Sequence, residues 1–155
     1  MVKEKIDDKQ ILKDIFSKSL ELADPAKKIE KIKFDPPVGR VFFVAVGKGA
    51  GRLANSFKEN YIGKADGIVV IPENEKCDNL GFEVIKATHP IPSKKGLDAS
   101  LKILNAISKL GKDDLLIFCI SGGASALLPL PPEGFTLEDE IQINKILLGS
   151  GLSIK

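Results

Sequence analysis

The period of the apolar positions changes near residue 38, and the change divides the chain. Ile11, Leu12, Ile15, Phe16, Leu20 and Leu22 recur at helical spacing, with Asp7 or Asp8 placed to cap the start. Asp24-Pro25 reads as an N-cap followed by proline at the first helical position, opening a short lysine-rich helix that runs to about Ile32. Pro36-Pro37 closes this part, so residues 1–37 are expected to form a helical lead-in. Short apolar runs and helical stripes then alternate. Residues 40–46 are a β-rich run ending in Gly47-Lys48-Gly49-Ala50-Gly51, and Ala50, Leu53, Ala54, Phe57 and Tyr61 behind it share one helical face. Residues 67–71 and 82–87 predict two more strands, the second followed by His89-Pro90-Ile91-Pro92. Ser93 caps a helix with Leu97, Leu101, Leu104 and Ile107 expected on its buried face. Residues 115–120 predict another buried strand, ending in Ser121-Gly122-Gly123-Ala124-Ser125. Thr136 and Asp139 have capping-box spacing and open a last helix through Leu148, stopped by Gly149-Ser150-Gly151.

Strands that are apolar throughout and alternate with helices predict a mostly parallel sheet covered on both faces. The expected class is α/β, a Rossmann-like doubly wound domain over residues 38–155, with right-handed crossovers. A chain of 155 residues corresponds to one such domain and can bury a sizeable core without a metal or disulfide staple. Cys77 lies in a polar stretch and Cys119 in an apolar run, which suits a reducing cytosol better than a disulfide. The first ten residues lack the apolar stretch of a signal peptide. The longest apolar runs have six residues, against about 20 for a membrane span. A cytoplasmic protein without membrane contact is expected. The formal net charge is +2 and the basic residues are scattered, while aromatics make up 6% with no Trp. Neither a phosphate-backbone footprint nor a base-stacking platform is present, so nucleic acid is not an expected partner.

Ligands of an open parallel sheet bind beyond the C-terminal ends of its strands, and both small-residue loops fall there. In the first, Gly47, Gly49 and Gly51 let backbone approach a ligand, their N–H groups are expected to face an anion, and Lys48 adds a full charge. The spacing is neither that of a P-loop nor the dinucleotide GxGxxG, since Arg52 occupies the last glycine position. The same residues would also make a plain strand-to-helix turn with a solvated lysine. In the second loop, Ser121, Gly122, Gly123 and Ser125 offer N–H groups and hydroxyls, suited to a phosphate or carboxylate; a glycine turn capped by serine is the plainer alternative. A serine nucleophile would need a base, for which His89, the single histidine, is a weak candidate. His89 should lie near the same sheet edge. One His, two separated Cys and no carboxylate cluster give no expected metal site. Asp113-Asp114 reads as a solvated turn, and Glu138-Asp139-Glu140 as complementing a helix N-terminus.

Four blocks then carry a resemblance: residues 45–51, residues 87–92, residues 121–131 with their Leu-Pro-Leu-Pro tail, and Leu137-Glu138-Asp139-Glu140. In this order they resemble the N-terminal domain of glycerate 2-kinases, the two-domain MOFRL-type glycerate kinases, some of which carry the label hydroxypyruvate reductase. The resemblance spans about residues 41–154. It implies ATP-dependent phosphorylation of D-glycerate to 2-phosphoglycerate with Mg²⁺. Lys48 matches the lysine expected to contact the reacting phosphoryl group or substrate, and residues 121–125 match a glycine-rich segment at the interdomain cleft. Family members continue through a second domain that completes the cleft, so these residues alone are expected to be inactive. An apolar surface near residues 146–152 is expected to favour self-association. Two other readings remain: a hydroxypyruvate reductase using NAD(P)H, and a non-catalytic sugar-phosphate or nucleotide-binding module.

Overall fold

The computed structural model describes residues 7–29, 37–78 and 81–152. Helix α1 (Asp8–Ala23) and α2 (Ala26–Ile29) precede strand β1 (Val41–Val46) and helix α3 (Ala50–Asn60). Strands β2 (Ala65–Pro72) and β3 (Glu83–Ala87) follow, then α4 (Lys94–Ile107) and β4 (Leu115–Ile120), and finally α5 (Ala124–Leu127) and α6 (Leu137–Ser150). The four strands form one parallel sheet in the order β3-β2-β1-β4. The chain thus moves outward from β1 to β3 and returns to β1's other side as β4. The strand order reverses between β1 and β4, which is where a doubly wound sheet opens a binding crevice.

Alternation along the strands builds two cores. Val41, Phe43 and Ala45 of β1 and Val69 and Ile71 of β2 face α3, meeting Leu53, Ala54 and Phe57. Phe43 stacks on Phe57 at 4.3 Å and on Phe82 at 5.1 Å between ring centroids. Such pairs contribute about 0.5–1.5 kcal/mol each beyond the area they bury. Val44, Val46, Ile68 and Val70 point the other way, onto Ala99 and Ile103 of α4 and Leu127 of α5. The α/β class, with helices on both faces, is what the alternating pattern predicts. The lead-in is joined to this body, since Ile29 of α2 belongs to the α3-side core.

Three expectations are corrected. The buried face of α4 is Gly96, Ala99, Ser100 and Ile103, while Leu101 and Leu104 are 49% and 47% exposed. Close approach selects the small residues, and the leucine stripe lies about 100° around the helix from them. Among the described residues, strand β4 is an edge paired with β1 alone, so Phe118 and Ile120 are exposed and Cys119 is half-buried. In line with the apolar surface expected near residues 146–152, Ile146, Leu147, Leu148 and Leu152 are exposed, and neither α1 nor α6 has a buried residue. The helix caps follow expectation: Asp7 accepts from the Lys9 N–H, Ser93 caps α4, and Thr136 and Asp139 form a reciprocal capping box. The expected end of the second helix at Ile32 and the stop at Pro36 lie outside the described residues.

The third correction is Asp114, whose side chain is 11% exposed rather than solvated. Its carboxylate accepts from the Arg40 N–H (2.6 Å), the Gly111 N–H (2.9 Å) and the Arg40 guanidinium (3.0 Å). These bonds, led by the Gly111 N–H, hold its pKa down at about 2. A carboxylate with a depressed folded pKa stabilises the fold fully above its unfolded value near 4, and loses that contribution as the pH falls toward 2. The urea midpoint is therefore expected to fall between pH 4 and pH 2 more steeply for the wild type than for Asp114→Asn. Parallel pH profiles would remove Asp114 from the acid response.

Candidate functional site

The two glycine loops end adjacent strands, and the β1–β4 register brings them into hydrogen-bonding range. Gly47 turns the chain out of β1 with φ 116°, a left-handed conformation that L side chains rarely adopt. A Cβ there would lie 2.2 Å from Ser121 Oγ and 2.5 Å from the Ser121 carbonyl oxygen. Ser121 is the bracket between the loops. Its N–H and its hydroxyl both donate to the Val46 carbonyl, at 2.9 and 3.1 Å, and its Oγ accepts from the Gly49 N–H at 3.0 Å. The Lys48 N–H donates to the Gly122 carbonyl at 2.9 Å, the Gly47 N–H to Val70 and the Ala50 N–H to Gly47.

This geometry corrects the reading of the first loop. The N–H groups of residues 47–50, expected to face an anion, all have protein acceptors: the neighbouring loop takes those of Lys48 and Gly49, β2 that of Gly47, and the loop itself that of Ala50. Gly51 lies against the loop after β2, its Cβ position 3.5 Å from Cys77 Sγ. What the first loop presents is the Lys48 side chain, which is exposed and makes no ion pair among the described residues.

The second loop has the open donors. Among the described residues, the Gly122 and Gly123 N–H groups make no hydrogen bond to protein. Gly123 has φ 91°, and its Cβ position lies 2.9 Å from the His89 imidazole and 3.6 Å from Lys48 Cγ. A lysine, a half-buried histidine and two open N–H groups therefore meet at the switch point. His89 arrives on the segment after β3, where the His89-Pro90 peptide is cis and Thr88 Oγ1 donates to the Ile91 carbonyl at 2.7 Å. Ser125 is exposed on α5, beside this cluster in sequence. Chemically the arrangement can neutralise and orient an anion. Among the described residues, no group of three or more His, Cys, Asp or Glu could hold a metal ion. No helix among them is long and apolar enough to cross a membrane.

One neighbour of the site carries no signal that sequence reasoning used. Pro25 Cγ lies 3.8 Å from the Cβ position of Gly49, and Asp24 pairs with Arg52 in the first turn of α3. The Asp24-Pro25 pair announces a helix start, but nothing local says that this start packs on a loop more than 20 residues away.

Comparison with known proteins agrees with the resemblance carried by the four blocks. Residues 11–155 match the family described as "Domain of unknown function (DUF4147)". The chain is 33% identical over 150 residues to the D-glycerate 2-kinase of Thermotoga maritima, covering 95% of this chain and 36% of the relative. It is equally 33% identical, over 147 residues, to an Agrobacterium vitis protein whose name is hydroxypyruvate reductase, of which it covers 34%. The crystal structure of glycerate kinase from T. maritima superposes with a TM-score of 0.77 at 33% identity, over 94% of this chain and 36% of that one. A protein from Pyrococcus horikoshii superposes at 0.76 with 27% identity, over 99% and 37%. The chain spans about a third of the length of these relatives. Matched along nearly its whole length, the chain belongs to the DUF4147 family.

Proposed function

We propose that this chain forms one wall of the active site of an ATP-dependent kinase that phosphorylates D-glycerate to 2-phosphoglycerate. The observation that carries the reading is the Lys48 side chain beside the open Gly122 and Gly123 N–H groups at the switch point. Phosphoryl transfer asks for alignment and charge neutralisation more than for a protein nucleophile. Lys48 would supply charge to the transferring group, and Gly122 and Gly123 would hold a phosphoryl or carboxylate oxygen. Ser125 and His89 stand ready as further polar contacts. The donor set suits the anionic groups of ATP and glycerate; it does not suit Mg²⁺, whose ligands would come from elsewhere.

The site as it stands has one wall, and the relatives are about three times as long. Residues 38–155 would be the first domain of a two-domain kinase, with residues 1–37 its lead-in. The exposed apolar face of α6 would favour self-association in isolation. Both cysteines are free, and burial pushes both thiols above their usual pKa, which fits unreactive side chains in a reducing cytoplasm. A hydroxypyruvate reductase is the second reading, favoured by the A. vitis relative's name. Against it, the last position of a dinucleotide glycine motif is Arg52, tied to Asp24.

The 155-residue chain, its mass verified, is expected to give no multiple turnover of D-glycerate with ATP and Mg²⁺, while the complete protein forms 2-phosphoglycerate. Neither is expected to oxidise NAD(P)H with hydroxypyruvate. Steady turnover by the 155 residues would remove the need for a second wall. A complete protein that reduces hydroxypyruvate and leaves glycerate untouched would overturn the kinase reading.

A further inference from the structure

The corner between α1 and α2 is built onto the site. Asp24 Oδ1 accepts from the Ala26 N–H at 3.1 Å and so starts α2, while its other oxygen accepts from the Arg52 guanidinium. The Asp24 side chain is 12% exposed, against 71% for Arg52. One turn further along α3, the buried Ser56 donates its hydroxyl to the Ala26 carbonyl at 2.8 Å. Two residues of α3, four apart on one face, thus grip the corner. The residue between Asp24 and Ala26 is Pro25, which stands beside Gly49. Gly49 has Ser121 Oγ at 3.4 Å and Pro25 Cγ at 3.8 Å from its Cβ position, and Lys48 precedes it directly.

We propose that Asp24 is a positioning residue for the Lys48 loop. By capping α2 and pairing with Arg52, it ties the corner to the helix turn that follows the loop, keeps Pro25 beside Gly49, and fixes the backbone from which Lys48 reaches the anion. The last clause rests on the anion reading of the site; the bracing of the loop does not. Asp24 itself touches no ligand. Removing its carboxylate frees the Ala26 N–H and the Arg52 guanidinium together, so the corner loses its attachment to the first turn of α3 while both cores are left intact.

The test uses amide hydrogen exchange on the 155-residue chain, with a parallel titration by inorganic pyrophosphate followed at the Lys48, Gly122 and Gly123 amides. Asp24→Ala is expected to speed exchange at Gly49 and Lys48 by about tenfold and leave Val44 and Val69, in the sheet centre, unchanged. Pyrophosphate affinity should fall by about fivefold in the same variant. Asp24→Asn keeps an oxygen for the Ala26 N–H but loses the charge, so it should recover part of both losses. If Asp24→Ala unfolds, Asp24→Asn and Arg52→Ala carry the comparison, each with slower loop exchange than an unfolded chain and faster than wild type. Unchanged exchange at Gly49 in the folded variants would overturn the proposal. A wild-type chain that ignores pyrophosphate would sink the anion reading of the site, and the exchange comparison would still decide the role of Asp24.

Discussion

Lys48→Ala in the complete protein is expected to lower kcat by about 10²–10³. The side chain is exposed, forms no ion pair among the described residues, and lies beside Gly123 at the edge where the two loops meet. Its removal leaves no buried group without a partner, so the unfolding free energy should move by no more than about 0.5 kcal/mol. A large kinetic loss at almost constant stability is the signature of a charge that acts on the reaction. Lys48→Arg should recover only part of the rate, because a planar guanidinium does not reproduce the compact point charge of an ammonium. Near wild-type turnover by Lys48→Ala would take the residue out of the mechanism.

Gly47→Ala should cost the most stability of any single change at the site, about 3–5 kcal/mol. Two terms add. The φ of 116° is strained for any residue with a Cβ, and the new Cβ would meet Ser121 Oγ at 2.2 Å and the Ser121 carbonyl oxygen at 2.5 Å. The hydroxyl cannot simply swing away, since it donates to Val46 and accepts from Gly49. Gly122→Ala is the matched control. Nothing lies within 4 Å of its Cβ position and its φ is ordinary, so urea denaturation should find it within about 1 kcal/mol of wild type. Equal losses from the two substitutions would mean that the bracket around Ser121 is not tight.

How much of this was legible in the sequence depends on the range of the interaction responsible. Local chemistry read through: the caps at Asp7, Ser93 and Thr136, the strand-ending glycines, and the alternation that makes a parallel α/β sheet. The placing of Lys48, His89 and Gly123 at one edge also follows, because each comes after a strand of a parallel sheet. The use of the first loop's N–H groups does not, because the acceptors of Lys48 and Gly49 lie on Gly122 and Ser121 and that of Gly47 on Val70, and only the pairing of β1 with β4 and β2 brings those near. Asp114 escaped for the same reason, its partner Arg40 being 74 positions away. For α4, periodicity marks two adjacent stripes, and only the closeness of the packing against the sheet and Leu127 selects the one with glycine and alanine.

The contact between Gly47 and Ser121 also has a consequence for heredity and for recombination. Neither position is free to drift alone: a side chain at 47 would meet the backbone carbonyl of residue 121 as well as its hydroxyl, and a residue without that hydroxyl at 121 would drop the side-chain bonds to Val46 and Gly49 that shape the turn. The two should behave as one inherited unit, varying together among descendants or not at all. For anyone shuffling such genes, a crossover placed between codons 47 and 121 joins a turn from one parent to a bracket from another. Crossovers outside that interval pass the pair on intact, and surviving chimeras should be drawn mostly from them.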